Sequence, residues 1–116
     1  MAAKLSKIEI ITSYKKFSHL QSVLGKAGVR GMTVFQVMGC GIQHGAAEYA
    51  IEENEELTLL PKQQISIVVE TERVDEIVEL VKQELYTGHI GDGKIFIYAI
   101  DNAIKVRTGD EGVEAL

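Results

Sequence analysis

The sequence predicts an α+β domain made of two strand–helix–strand units in tandem. Three features carry this reading. Four β-branched runs read as strands, and two apolar stripes at helical spacing lie between them. A G-x-x-G joint recurs at Gly28–Gly31 and Gly88–Gly91, 60 residues apart, each time between a stripe and the next strand.

Taken in order, Lys7–Thr12 (K-I-E-I-I-T) is dense in β-branched residues and predicts the first strand. Ser18 is the candidate cap of a helix whose apolar positions are Leu20, Val23, Leu24 and Ala27, ended by Gly28. Met32–Met38 predicts the second strand. Gln64–Glu70 alternates Ile65, Ile67 and Val69 with polar neighbours and predicts a half-buried third strand. Thr71 is the candidate cap of the second helix, striped by Val74, Ile77, Val78, Val81 and Leu85 and ended by Gly88. Lys94–Ile100 predicts the fourth strand. A doubled unit of this kind folds as a ferredoxin-like βαββαβ sandwich, an antiparallel sheet with both helices on one face. The connection Gly41–Leu60 stands apart. At about twenty residues it far exceeds the usual four to six, and connections of that length are commonly functional.

Bulk properties narrow the class. A chain of 116 residues is expected to form a single domain, 1–116. Its net charge of −5 argues against nucleic acid as a direct partner. No apolar run approaches the roughly 20 residues that cross a bilayer. No long apolar stretch follows the first lysines, so a signal peptide is not expected. The lone Cys40 forms no internal disulfide and fits a reducing, cytoplasmic setting.

Residues Thr87–Ile97 read T-G-H-I-G-D-G-K-I-F-I. Gly88, Gly91 and Gly93 can expose backbone N–H groups, and Lys94 adds a mobile cation at their edge, a combination that suits a phosphate. It is not a Walker A loop, because Ile95 stands where Ser or Thr would hold magnesium and a strand follows instead of a helix. Lys105 and Arg107 alternate along I-K-V-R-T, so an extended chain would project both to one side, toward an anion or solvent.

The segment Thr87–Ile97 resembles the C-terminal signature of the PII signal-transduction family nearly residue for residue. G-M-T-V at Gly31–Val34, G-x-G-x-Q at Gly39–Gln43, L-P-K at Leu60–Lys62 and V-R-T-G at Val106–Gly109 resemble further landmarks in the same order. The resemblance implies a homotrimer packed through sheet faces, with ADP or ATP bound as effector between subunits. It implies nucleotide contacts from Thr33, Gly39, Gly41, Val68, Gly91, Asp92, Gly93, Lys94, Lys105 and Arg107. Thr33 and Val68 would lie at the base, and Gly39–Gln43 would face the phosphates from a neighbouring subunit. Gln43 and Lys62 match positions that hold Mg2+ and 2-oxoglutarate. Residues 41–60 match the T-loop, 87–94 the phosphate loop and 103–116 the C-terminal loop and tail. The resemblance implies a cytoplasmic protein with a role in nitrogen metabolism that regulates a membrane transporter or metabolic enzyme, with recruitment to the membrane by that partner.

Departures from the pattern are specific. Ile42 stands where an arginine usually meets the phosphates, and Lys105 replaces another arginine. Loss of a guanidinium removes charge-assisted hydrogen bonds, so ATP is expected to lose more than ADP or AMP. Glu48, Glu52, Glu53, Glu55 and Glu56 make the loop acidic, with Tyr49 among them, and suit a docking finger for a basic partner. Glu55 takes the place of the uridylylated tyrosine and Ile51 that of a nearby arginine, so control by that modification is not expected.

No Ser/His/Asp or Cys/His constellation is evident, and Cys40 with His44 is too few ligands for zinc. Phe17, Phe35, Phe96, Tyr86 and Tyr98 are expected to pack, and Asp92 to hydrogen-bond its own turn. The expected function is non-enzymatic signalling. The alternatives are a small ferredoxin-like enzyme and a metabolite- or metal-binding trimer.

Overall fold

A computed structural model describes residues 4–41 and 58–116. Four strands, β1 (Leu5–Thr12), β2 (Thr33–Gly41), β3 (Thr58–Glu70) and β4 (Lys94–Ile100), form one sheet in the order β2-β3-β1-β4. Every pairing is antiparallel. Helices α1 (Phe17–Lys26) and α2 (Val74–Leu85) follow β1 and β3. This is the predicted ferredoxin-like arrangement.

The core lies between the helices and one sheet face. Ile8 pairs with Ile67 and Ile97, and Ile10 with Ile65 and Ile95, so alternate residues form apolar rows across the strands. Leu20 and Leu24 of α1, and Val74, Ile77, Val81 and Leu85 of α2, cover these rows. The opposite face carries Lys7, Glu9 and Ile11 of β1 with their register partners Val68, Ser66 and Gln64 on β3 and Tyr98, Phe96 and Lys94 on β4. It is half-open and polar at its centre, where Glu9 accepts hydrogen bonds from Gln64 (3.0 Å) and the Tyr98 hydroxyl (3.0 Å).

Both predicted caps are wrong. Each helix instead grows out of a 3₁₀ turn, Tyr14–Lys16 before α1 and Thr71–Arg73 before α2. The N–H of Phe17 donates to the Tyr14 carbonyl and that of Val74 to the Thr71 carbonyl, so the turns satisfy donors that a side-chain cap would otherwise take. Ser18 lies inside α1, while the Thr71 hydroxyl meets that of Ser6 at 2.8 Å and ties β1 to the turn. Gly28 does end α1: at φ +88 it lets Val29 N–H reach the Leu24 carbonyl (3.0 Å) and Gly28 N–H that of Gly25 (3.1 Å). By contrast α2 ends at Leu85, and Gly88 belongs to the loop that follows.

The long connection is also shorter than predicted. β2 runs on to Gly41 and β3 begins at Thr58, pairing with it. β1 reaches only to Gln63, so Val37–Gly41 and Thr58–Lys62 continue as a two-stranded ribbon for about 17 Å. Pro61 hid this from the pattern. Beyond the end of β1, β3 is itself an edge strand, where proline is tolerated.

Candidate functional site

The loop between α2 and β4 is held by one carboxylate. Asp92 accepts hydrogen bonds from the Thr87 hydroxyl, the Thr87 N–H (2.8 Å) and the Gly88 N–H (3.0 Å). These donors, the Thr87 hydroxyl foremost, keep the Asp92 carboxyl below its ordinary pKa, with a further contribution from Lys16. Asp92 thus serves the turn, as its sequence context predicts. The loop is also tied to the sheet, since the Thr12 hydroxyl donates to the Asp92 carbonyl at 3.1 Å.

Three glycines give the loop its path. Gly88, Gly91 and Gly93 have φ of +84°, +102° and +112°, all in the region that favours glycine. Gly93 is doubly constrained, because a Cβ there would fall on the Ile11 carbonyl oxygen and lie 3.2 Å from Thr12 Cβ. The N–H groups of Gly91 and Gly93 make no hydrogen bond among the described residues. Lys94, next in the chain, is exposed and stands opposite Ile11 on the open sheet face.

Lys62 joins this loop from the ribbon. Its stem lies over Gly39, where a Cβ would come within 3.1 Å of Lys62 Cγ. Its ammonium ends 3.7 Å from the Cβ position of Gly91. Gly39, Lys62 and Gly91 are therefore neighbours within one chain. This corrects the expectation that the Gly39 end of the ribbon meets the glycine loop from another subunit. Gly41 pairs with Thr58 two residues further along the ribbon. The open N–H groups of Gly91 and Gly93 and the Lys62 ammonium beside Gly91 are the groups here that an anion would use.

Lys105 and Arg107 lie elsewhere. β4 starts opposite Ile11 and ends opposite Leu5, so the segment after Ile100 leaves from the far end of the sheet, about 20 Å from Lys94. Nor is that segment extended, as I-K-V-R-T predicted. Ile104 bridges to Glu111, Gly109 N–H donates to the Lys105 carbonyl (2.7 Å) and Lys105 N–H to that of Asp110 (2.8 Å), which closes a tight hairpin with Arg107 at its exposed tip. Gly109, at φ +78, is the residue that makes the return turn possible, and alternation cannot survive it.

Thr33, level with Glu9, and Val68, opposite Lys7, line one cavity of about 780 Å³ on the open face. Phe35, Ser66, Val113 and Leu116 share it, and the sequence pattern singled out none of them for a site. Phe35 was expected to pack, as were Phe96, Tyr86 and Tyr98. Phe17 does pack on the core, whereas Phe35 is 50% exposed, Phe96 42%, Tyr98 43% and Tyr86 76%. Three of these four lie on the face without helices, which a local apolar pattern cannot distinguish from the covered one. Gln43, Glu48, Tyr49, Glu52, Glu53, Glu55 and Glu56 lie outside the described residues.

Comparison with known proteins identifies the family. The family model described as nitrogen regulatory protein P-II matches residues 5–110. A nitrogen regulatory PII-like protein of Bacillus subtilis is 42% identical over the full length of both chains. A nitrogen regulatory protein P-II of Rhodospirillum rubrum is 38% identical over 97% of this chain and all of its own. Among solved structures, the B. subtilis GlnK–ATP complex superposes with a TM-score of 0.84 at 41% identity, covering 100% of this chain and 99% of the other. Arabidopsis thaliana PII bound to citrate gives 0.78 at 32% identity, covering 98% and 94%. The chain belongs to the P-II family of nitrogen regulatory proteins.

Proposed function

We propose that this protein is a homotrimeric signalling protein that binds adenine nucleotides between its subunits and passes their identity to a partner through residues 41–60. One observation carries the between-subunit reading. The glycine loop with Lys62 and the Arg107 hairpin stand at opposite ends of one sheet, so a ligand that uses both must span two copies. The open sheet face, with its exposed Phe35, Phe96 and Tyr98, is the apolar surface that such copies would cover. The relative captured with ATP supports the choice of ligand.

In this reading Gly91, Gly93, Lys94, Lys62 and the Gly39–Gly41 strand end hold the phosphates. Asp92 shapes the loop, and Lys105 and Arg107 close the site from the next copy. Thr33 and Val68 receive the base. Gln43 and Lys62 serve Mg2+ and 2-oxoglutarate where these accompany ATP. The ribbon places the base of the acidic segment beside the phosphate loop, so a ligand can select one segment conformation if it binds that conformation better. Glu48, Tyr49, Glu52, Glu53, Glu55 and Glu56 then dock on a basic patch of a transporter or metabolic enzyme in the cytoplasm or at its membrane.

Titration calorimetry with ATP, ADP and AMP, with and without Mg2+ and 2-oxoglutarate, tests this. Saturable binding at one site per chain is expected, with ATP weakened relative to ADP because Ile42 lacks the usual guanidinium. Absence of binding by all three nucleotides sinks the reading. Steady ATP turnover abolished by Lys94→Ala would point to an enzyme instead.

A further inference from the structure

Each 3₁₀ turn that leads into a helix ends on a basic residue, Lys16 before α1 and Arg73 before α2. Both side chains reach across to the far end of the other helix. The Lys16 ammonium donates to the Glu84 carbonyl at 3.2 Å, and the Arg73 guanidinium donates to the Ala27 carbonyl. Helix ends leave such carbonyls without an internal partner, and the helix dipole favours a cation there. Each clasp precedes one of the two G-x-x-G joints, Gly28–Gly31 and Gly88–Gly91.

We propose that Lys16 is a positioning residue of the glycine loop: it holds the end of α2, and through it the Thr87–Asp92 turn, without touching the ligand. This rests on the nucleotide reading above and adds to it a residue from the first half of the chain.

The two clasps differ in what they control. Arg73 shares its guanidinium between the Ala27 carbonyl and Glu76 of its own helix (2.7 Å), and the joint it holds leads into β2. Lys16 holds the residue that leads into the glycine loop. Thr87, whose N–H and hydroxyl are donors to Asp92, follows Glu84 by three residues. The Glu84 side chain is held too, by His19 Nε2 at 2.8 Å. The start of α1 thus grips both the carbonyl and the carboxylate of one residue at the end of α2. Lys16 is half-buried in this arrangement, whereas its neighbour Lys15 is exposed.

A second route runs through space. The hydrogen bonds from Thr87 do most to lower the Asp92 carboxyl pKa, and the Lys16 charge lowers it further. Backbone tether and electric field therefore lead from Lys16 to the same carboxylate. Without Lys16 the Glu84 carbonyl turns to water, the last turn of α2 frays, and ionised Asp92 loses a favourable charge. The loop that presents the Gly91 and Gly93 N–H groups then loses definition.

The test uses the full chain with Lys16→Met, which keeps the stem and removes the charge, Lys16→Arg, and Lys15→Met as control. Each is confirmed to have the parent's oligomeric state, and Lys16→Gln replaces Lys16→Met if that does not fold. The first readout is the pH at which the Thr87 and Gly88 amide resonances move. Removing a cation that favours ionised Asp92 raises its folded-state pKa, so the amides should move at higher pH in Lys16→Met. Lys16→Arg should return the transition to the parental pH, and Lys15→Met should leave it there. A parallel set carrying His19→Gln, Glu84→Gln and His89→Gln keeps the other ionisable groups of this joint out of the transition. The second readout is ADP calorimetry. Lys16→Met is expected to bind about fivefold more weakly, and Lys16→Arg to stay within about twofold of the parent. In an Asp92→Asn chain, Lys16→Met should cost less than about twofold more, because both changes act on one turn. An unmoved amide transition in Lys16→Met overturns the positioning role. So do losses that multiply in the double variant, which would mean that Lys16 meets the ligand directly. A parent chain that binds no ADP overturns the nucleotide reading, while the amide titration still decides whether Lys16 sets the loop.

Discussion

The Lys62 ammonium reaches to within 3.7 Å of the Cβ position of Gly91 by crossing the bare backbone of Gly39. Three residues distant in sequence thereby form one local arrangement. It brings the strand end that leads into the long acidic segment beside the glycine loop. An alanine methyl at Gly39 would lie 3.1 Å from Lys62 Cγ and push the stem aside. Gly39→Ala should therefore weaken ADP binding about as much as Lys62→Ala, roughly tenfold in each case, as expected for loss of a charge-assisted contact. Calorimetry on the two variants decides it. Full affinity in Gly39→Ala would show that the stem is free to take another path.

Asp92 predicts a pH dependence with a definite sign. Its folded-state pKa lies below the ordinary value, because Thr87 and Gly88 donate to the ionised form. Its contribution to loop order is therefore complete above the ordinary carboxyl range of about 3.9 and is lost as pH falls through the lowered folded value. Amide resonances of Thr87 and Gly88 should hold steady from neutral pH to near 4 and move together below it. In Asp92→Asn the same resonances should be displaced already at neutral pH, and ADP binding should weaken.

Gly93 carries the sharpest stability prediction. Its φ of +112° and the position of the Ile11 carbonyl oppose any side chain. Gly93→Ala should lower stability by about 2–4 kcal/mol, from backbone strain together with overpacking against β1. Chemical denaturation measures it. Gly25→Ala, where nothing lies within 4 Å of the added methyl, is the control expected to be neutral or stabilising because the site is helical.

A split site predicts complementation between defective chains. Lys62→Ala with Lys94→Ala removes the cations at one end of the sheet, and Lys105→Ala with Arg107→Ala removes those at the other. Each double variant alone should lose ADP binding by at least about a hundredfold. Mixed after unfolding and refolding together, they should regain a fraction of sites with parental affinity, because some clefts then draw both halves from intact ends. No recovery, in oligomers shown by mass spectrometry to be mixed, would place the ligand on a single chain.

The glycine loop was legible because its chemistry is local. Thr87, Gly88, Asp92 and Gly93 lie within one turn, and the hydrogen bonds Asp92 makes there connect residues no more than five apart. Lys62 beside Gly91 was not legible, since that contact depends on the register Val37↔Lys62 and on β3 running past the end of β1. The hairpin at Lys105–Asp110 escaped for another reason. I-K-V-R-T has strand-like alternation, but Gly109 in the left-handed region turns the chain back, and local periodicity does not report that.

By itself the sequence determined the order of strands and helices, the apolar rows that pair them, and the family that its glycine, lysine and arginine landmarks match. Those properties follow from spacing along the chain, which sets the face a side chain takes in a strand or helix. Tertiary structure alone decided which landmarks lie together. Antiparallel pairing carries Lys94 to one end of the sheet and Arg107 to the other, and it folds the ribbon so that Gly39 and Lys62 meet the loop at Gly91. Proximity of that kind comes from register and strand length across the sheet, and no window of sequence contains it.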